Sequence, residues 1–174
     1  MKTLEIPLNK FRIAVLALLF VAVVTLAFFL AYYLFLDGVF SVKLIILLII
    51  AIPVLIFIIW FAIKKIISNK PGLVIDSTGI LDNVNLSEIG VISWNEISTM
   101  NIVNHQSSYF IILHLKDSDK VLNRLENNRL RLAKNNLKVF GSPVAINVSN
   151  LKIDKFELLE ILNNQAQMWN NNSQ

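Results

Sequence analysis

Two apolar runs dominate the first third of the chain. Ile13–Leu36 holds 24 residues with Thr25 as its only non-apolar member, counting Tyr32 and Tyr33 as aromatic, and Leu44–Ile63 holds 20 with Pro53 as its only exception. At about 1.5 Å per residue these make helices of roughly 36 and 30 Å, enough to cross a hydrocarbon core of about 30 Å. A core helix of this length would carry a polar stripe, and neither run has one. The first run is also longer than the roughly 7–15 residues of a signal-peptide h-region, and no small-residue cleavage site follows it. An uncleaved two-helix anchor is expected.

After Pro71-Gly72 the pattern turns to short β-type runs punctuated by turns. Leu73–Ile75 leads through Asp76-Ser77-Thr78-Gly79 into Ile80-Leu81, which reads as a hairpin. Ile89–Trp94 and Ile97–Val103 flank a corner at Asn95-Glu96, and Asn104–Ser108 reads as a polar loop. Tyr109–Leu115 is the strongest strand: Tyr109, Ile111, Leu113 and Leu115 alternate with Phe110, Ile112 and His114, predicting a central strand with one face in the core.

The period then changes. Asp119 to about Asn136 reads as helix with a weak point at Asn127-Asn128, followed by a short strand at Val139-Phe140, a Gly141-Ser142-Pro143 turn and a strand at Val144–Val148. Asp154 is placed as a helix N-cap with Glu157 three residues on, and Ile153 and Leu158 are placed for a hydrophobic staple. Phe156, Leu159, Leu162, Ala166 and Trp169 recur at helical spacing, which predicts the core-facing stripe of a terminal helix. The order is a meander of about five strands, a helical insertion, one or two further strands and an amphipathic helix that closes the open apolar face. It suggests a small α+β domain, a pleckstrin-homology-like (PH-like) antiparallel barrel capped by its C-terminal helix.

Charge sharpens this division. The chain of 174 residues has a formal net charge of +4, but residues 1–70 hold seven basic and two acidic residues, while residues 71–174 hold nine basic and ten acidic. The basic excess flanks the apolar runs at Lys2, Lys10, Arg12, Lys64, Lys65 and Lys70, whereas the connection Asp37–Lys43 carries only Lys43. The positive-inside rule then places both termini in the cytoplasm. The expected organisation is a cytoplasmic segment 1–12, transmembrane helices 13–36 and 44–63, an external loop 37–43, a basic juxtamembrane linker 64–71 and a cytoplasmic PH-like domain 72–174. A near-neutral domain lacks the charge that nucleic-acid backbone binding needs, so no nucleic-acid partner is expected.

Candidate chemistry is sparse. The chain has no cysteine, which excludes disulfides, thiolate metal sites and a cysteine nucleophile. His105 and His114 lack the spacing of a metal pair, and the five glycines form neither a P-loop nor a dinucleotide fingerprint. No ionisable residue lies inside either apolar run, so the hairpin reads as an anchor rather than a transport path. No catalytic residue, metal or cofactor is expected, and the chain does not read as an enzyme.

Three features remain as candidates. Arg124, Arg129, Arg131, Lys134 and Lys138 are opposed only by Glu126 and interleave with leucines. They read as a solvated helix face or as a basic amphipathic helix resting on anionic lipid headgroups, and the solvated face is the plainer reading. Trp94, at a strand end, reads as a core anchor first and as an interface aromatic second. Trp169, at the end of the terminal helix, fits either role.

Glu5-Ile6-Pro7-Leu8, the two apolar runs, Lys70-Pro71-Gly72-Leu73-Val74-Ile75-Asp76 with Gly79-Ile80, then Ile92-Ser93-Trp94-Asn95-Glu96-Ile97, and finally Phe140-Gly141-Ser142-Pro143-Val144-Ala145-Ile146 follow one another along the chain. In that order they resemble a family of small, functionally uncharacterised bacterial inner-membrane proteins with a two-helix anchor and a bacterial PH-like domain. The resemblance implies an architecture and a multi-pass inner-membrane location, and it supplies no active site. The function expected is a membrane-anchored interaction or scaffold module that binds a protein, a peptide or a second copy of itself at the cytoplasmic face. The alternatives are an anionic-lipid-sensing domain or an accessory subunit of a transport or pore-like complex.

Overall fold

The structure is a computed structural model that describes residues 3–36, 42–84 and 89–172. It divides into two compact units, one formed by Lys10–Asn69 and the other by Met1–Asn9 together with Lys70–Gln174.

The first unit is a pair of packed helices, α1 (Lys10–Leu36) and α2 (Val42–Ile67). Both are long and apolar enough to cross a membrane, and only 6% of the spanning window of each is buried. That low burial is the opposite of what a soluble core helix shows. Thr25, the lone polar residue of the first run, returns its hydroxyl to the Val21 carbonyl at 2.9 Å and so exposes no unpaired donor. Pro53 sits inside α2 without ending it, as membrane helices tolerate. Lys64 and Lys65, expected in a linker, lie on the last turn of α2, with the Lys64 ammonium 5.2 Å from the Trp60 ring centre. Of the expected external loop 37–43, residues 37–41 lie outside the described residues, as does Lys2 of the N-terminal flank, and Val42 and Lys43 belong to the first turn of α2.

The second unit holds two antiparallel sheets. Strands β1 (Leu4–Ile6), β2 (Leu73–Ile75), β3 (Gly79–Asp82) and β4 (Val91–Ser93) form one sheet in that order. Strands β5 (Ile97–His105), β6 (Ser108–Leu115) and β7 (Val144–Asn147) form the other. Helices α3 (Ser118–Leu122) and α4 (Asn127–Phe140) lie between β6 and β7, and α5 (Lys155–Asn172) ends the chain. The sheets are separate, so the closed barrel expected from the strand order is not formed among the described residues. Ile6, Leu73, Ile75, Ile80 and Ile92 of the first sheet, Ile111, Leu113, Val144 and Ile146 of the second, and Leu158 and Leu162 of α5 share one buried core.

The largest departure from the expected organisation is at the N-terminus. Residues 4–6 are a strand of the domain: Leu4 pairs with Ile75 and Ile6 with Leu73. The chain then stays attached beyond β1. The Lys152 amide donates to the Pro7 carbonyl at 3.0 Å, the Asn9 amide donates to the Asn150 carbonyl at 2.8 Å, and Leu8 bridges Leu151. The Gly72 amide donates to the Ile6 carbonyl at 2.8 Å, so the segment leading into β2 joins the same corner. A Cβ on Gly72 would lie 2.6 Å from a methyl of Leu151 and 3.1 Å from one of Leu8, and glycine lets these two leucines close over the backbone. The helical hairpin is therefore an insertion between two neighbouring strands.

Several local expectations shift for identifiable reasons. The strand read over Ile89–Trp94 is limited to Val91–Ser93, because Trp94 opens a single 3-10 turn that makes the corner into β5. The loop read at Asn104–Ser108 is a two-residue hairpin in which Gln106 and Ser107 both have positive φ, 47° and 60°, as a type I′ turn requires. The helix read from Asp119 onwards is two helices, and the left-handed Asn127, with φ 51°, lies at the expected weak point. Val139 and Phe140 are the last turn of α4 rather than a strand, because the helix runs on until the left-handed Gly141. Strand β6 is central, as expected, but Ile111, Ile112 and Leu113 are all fully buried, so both of its faces are covered. On α5 the buried positions are Leu158 and Leu162, with Ala166 and Trp169 packed against the same core, while Phe156 is 65% exposed and off that face.

Candidate functional site

The five residues of the basic cluster have different surroundings. Arg124 lies in the segment between α3 and α4 and forms an ion pair with Glu96, whose side chain is only 9% exposed. Glu96 also accepts from the Ser93 amide at 3.1 Å. Arg124 thus ties the α3–α4 connection to the β4–β5 corner. Arg131, Lys134 and Lys138, at spacings of three and four on α4, are exposed and form one charged stripe. The opposite face of α4 packs Ala133 with Leu122 and Leu125 of the preceding segment. Arg129 lies in the first turn of α4, also exposed.

Trp94 is 4% exposed and belongs to the shared core, where its indole N–H donates to the Asp76 carbonyl at 2.8 Å. That bond holds the β2–β3 turn against the β4–β5 corner. The turn is built on Asp76, whose Oδ1 accepts from the Thr78 hydroxyl at 2.6 Å, the Thr78 amide at 2.7 Å and the Gly79 amide at 3.2 Å. The Thr78 hydroxyl, and the two amides behind it, hold the Asp76 carboxyl below its ordinary range against the opposing pull of partial burial. Gly79 is needed beside it, because a Cβ there would stand 2.1 Å from the Ile92 carbonyl oxygen.

A cavity of about 530 Å³ opens between the start of β5 and α5. Trp94, Ile97 and Met100 give it an apolar floor, and Lys116, Asn163 and Gln167 give it polar walls. It runs along β5, whose second edge pairs with no strand among the described residues. The edge is regular from Thr99 to His105. A register shift between Ile97 and Thr99 interrupts its start, the kind of irregularity that blunts uncontrolled edge pairing. Of the sequence candidates only Trp94 lines this cavity. Met100, Asn163 and Gln167 carried no local signal, because the cavity exists only once α5 returns across the sheet.

The histidines have separate surroundings. His114 Nε2 lies 3.0 Å from Asn101 Oδ1 across the β5–β6 pair, and the His105 ring meets Phe140 edge-on at 5.3 Å. Among the described residues no three histidine or acidic side chains gather as metal ligands. Comparison with known proteins returns no matching family model, no matching curated protein and no matching solved structure.

Proposed function

We propose that the chain is an integral membrane protein whose sheet domain serves as a PH-like interaction and scaffold module at the cytoplasmic face of a bacterial inner membrane. The pairing of β1 with β2 carries this reading. Strands at opposite ends of the helical hairpin belong to one sheet, so both ends of the hairpin lie on one face of any bilayer it crosses. The Lys and Arg residues at those ends favour the cytoplasmic face. Two antiparallel sheets around one core with a C-terminal helix packed against it support a PH-like domain.

The binding surface of this reading is the β5 edge with the cavity beneath it. An extended peptide segment of a protein partner gains main-chain hydrogen bonds from such an edge and side-chain contacts from such a pocket. Tethering raises the effective concentration of a weak binder near other proteins of the same membrane. Photo-crosslinking in cells from a probe at Gln167 tests it, with a probe at Asp119 as the control. A discrete adduct from Gln167, absent from Asp119 and lost when Met100→Arg blocks the cavity, is expected. Equal labelling from both positions contradicts the reading.

A further inference from the structure

The exposed Phe156 has neighbours that give it a purpose. Lys155 places its ammonium 4.0 Å from the Tyr109 ring centre and 4.7 Å from that of Phe156, so one cation sits between two aromatic rings. Tyr109 is 37% exposed and Phe156 65%. Lys152, also exposed, lies three positions before Lys155 in the chain. The acidic neighbours are Asp154, whose carboxylate caps α5 by accepting from the amides of Phe156 and Glu157, and Glu157 itself.

The position of this cluster in the chain says what covers it. The Tyr109 amide donates to Ser149 Oγ at 2.9 Å, Asn150 accepts from the Asn9 amide, and Lys152 donates to Pro7. Lys10, the first residue of α1, is one peptide unit from Asn9, about 3.8 Å between Cα atoms. Helix α1 has 27 residues, about 40 Å, which matches a bilayer with its headgroup regions at about 40–45 Å. Lys10 therefore falls at headgroup depth, and the 149–156 edge of the domain is tied to it through Asn9. Aromatic rings flanking a lysine have the chemistry of the water–lipid interface.

We infer that Tyr109, Lys152, Lys155 and Phe156 form an interfacial foot that rests in the phospholipid headgroup layer of the membrane that holds the hairpin. The inference rests on the membrane-anchored reading above and adds an orientation: this edge, rather than the basic stripe of α4, meets the lipid. Phe156 is exposed to water only in the absence of a bilayer, and the two lysines meet headgroup phosphates.

The lack of cysteine makes the test direct. Single-cysteine variants of the full chain, Phe156→Cys, Lys152→Cys, Asn163→Cys, Lys134→Cys and Leu26→Cys, are labelled with one fluorophore. They are reconstituted into vesicles of phosphatidylcholine and phosphatidylglycerol containing a headgroup nitroxide lipid or an acyl-chain nitroxide lipid. An interfacial residue buried about 5–10 Å into the headgroup region should give headgroup quenching about threefold above that of a water-facing one. That excess is expected at 156 or 152 relative to both 163 and 134. Since Lys152 and Phe156 are exposed, their replacement leaves the core intact, and either position suffices. Quenching at both 152 and 156 no greater than at 163, or strongest at 134, overturns the foot. Acyl-chain quenching at Leu26 separates the two claims: present, it leaves the anchor standing when the foot fails; absent, it removes both.

Discussion

Leu8 forms an antiparallel bridge with Leu151, a residue 143 positions further along the chain. Both are buried, at 6% and 3% exposure, and they meet over Gly72. The bridge closes the domain with a segment that precedes α1, so the domain is complete only when both ends of the helical hairpin return to it. Such a domain is held to its anchor by two covalent links, which restricts its rotation more than a single linker does.

Leu8→Ala should consequently destabilise the sheet domain by about 3 kcal/mol, the usual cost of truncating a buried leucine. Chemical denaturation of the detergent-solubilised chain, followed by tryptophan fluorescence, measures it. A change within about 0.5 kcal/mol, typical of surface substitutions, would place residues 7–9 outside the folded unit.

Arg124→Gln separates structure from lipid attraction. Loss of the Glu96 partner should cost about 1 kcal/mol, since Arg124 is 42% exposed and solvent already screens the pair. Vesicle flotation of the same variant should be unchanged. Weakened association with anionic vesicles at full stability would return Arg124 to a binding role.

Acid should loosen the β2–β3 turn. In the folded chain the Thr78 hydroxyl, with the amides of Thr78 and Gly79, holds the Asp76 carboxyl below its ordinary range. Its contribution is therefore fully present above the unfolded value and is lost as the pH falls through the lower folded value. Asp76→Asn should lower stability at pH 7 and flatten its dependence between about pH 5 and 2. Denaturation midpoints across that range provide the check, and an unchanged slope contradicts the role given to Asp76.

The β5–β6 hairpin carries an avoidable strain. Gln106 and Ser107 both adopt left-handed backbone that favours Asn and Gly. Replacing the pair by Asn-Gly should raise stability by about 1 kcal/mol, the order of the left-handed penalty for an ordinary residue. A loss of stability would mean that these side chains make contacts that outweigh the strain.

Much of the architecture is legible in local pattern. The apolar runs, β2 to β6 in order, the cap at Asp154 and the break at Asn127 all rest on signals carried within a few residues. What local pattern hides is long-range partnership. The alternation Leu4, Ile6, Leu8 is short and ends at the start of a membrane helix, and its partner strand lies beyond that hairpin. Arg124 looks like one member of a basic cluster until Glu96, 28 positions earlier, is folded beside it. Phe156 shares helical spacing with Leu159 and Leu162, yet the face that docks is centred on Leu158 and Leu162. Spacing alone does not choose between overlapping stripes.

The most direct measurement of the central claim is thiol accessibility in intact cells and in inverted membrane vesicles, using single cysteines at Thr3, Ser41 and Asp119. A membrane-impermeant reagent should label Thr3→Cys and Asp119→Cys together from the cytoplasmic face, and Ser41→Cys from the opposite face. Labelling of Thr3→Cys and Asp119→Cys from opposite faces would contradict the pairing of β1 with β2 and the doubly tethered domain built on it.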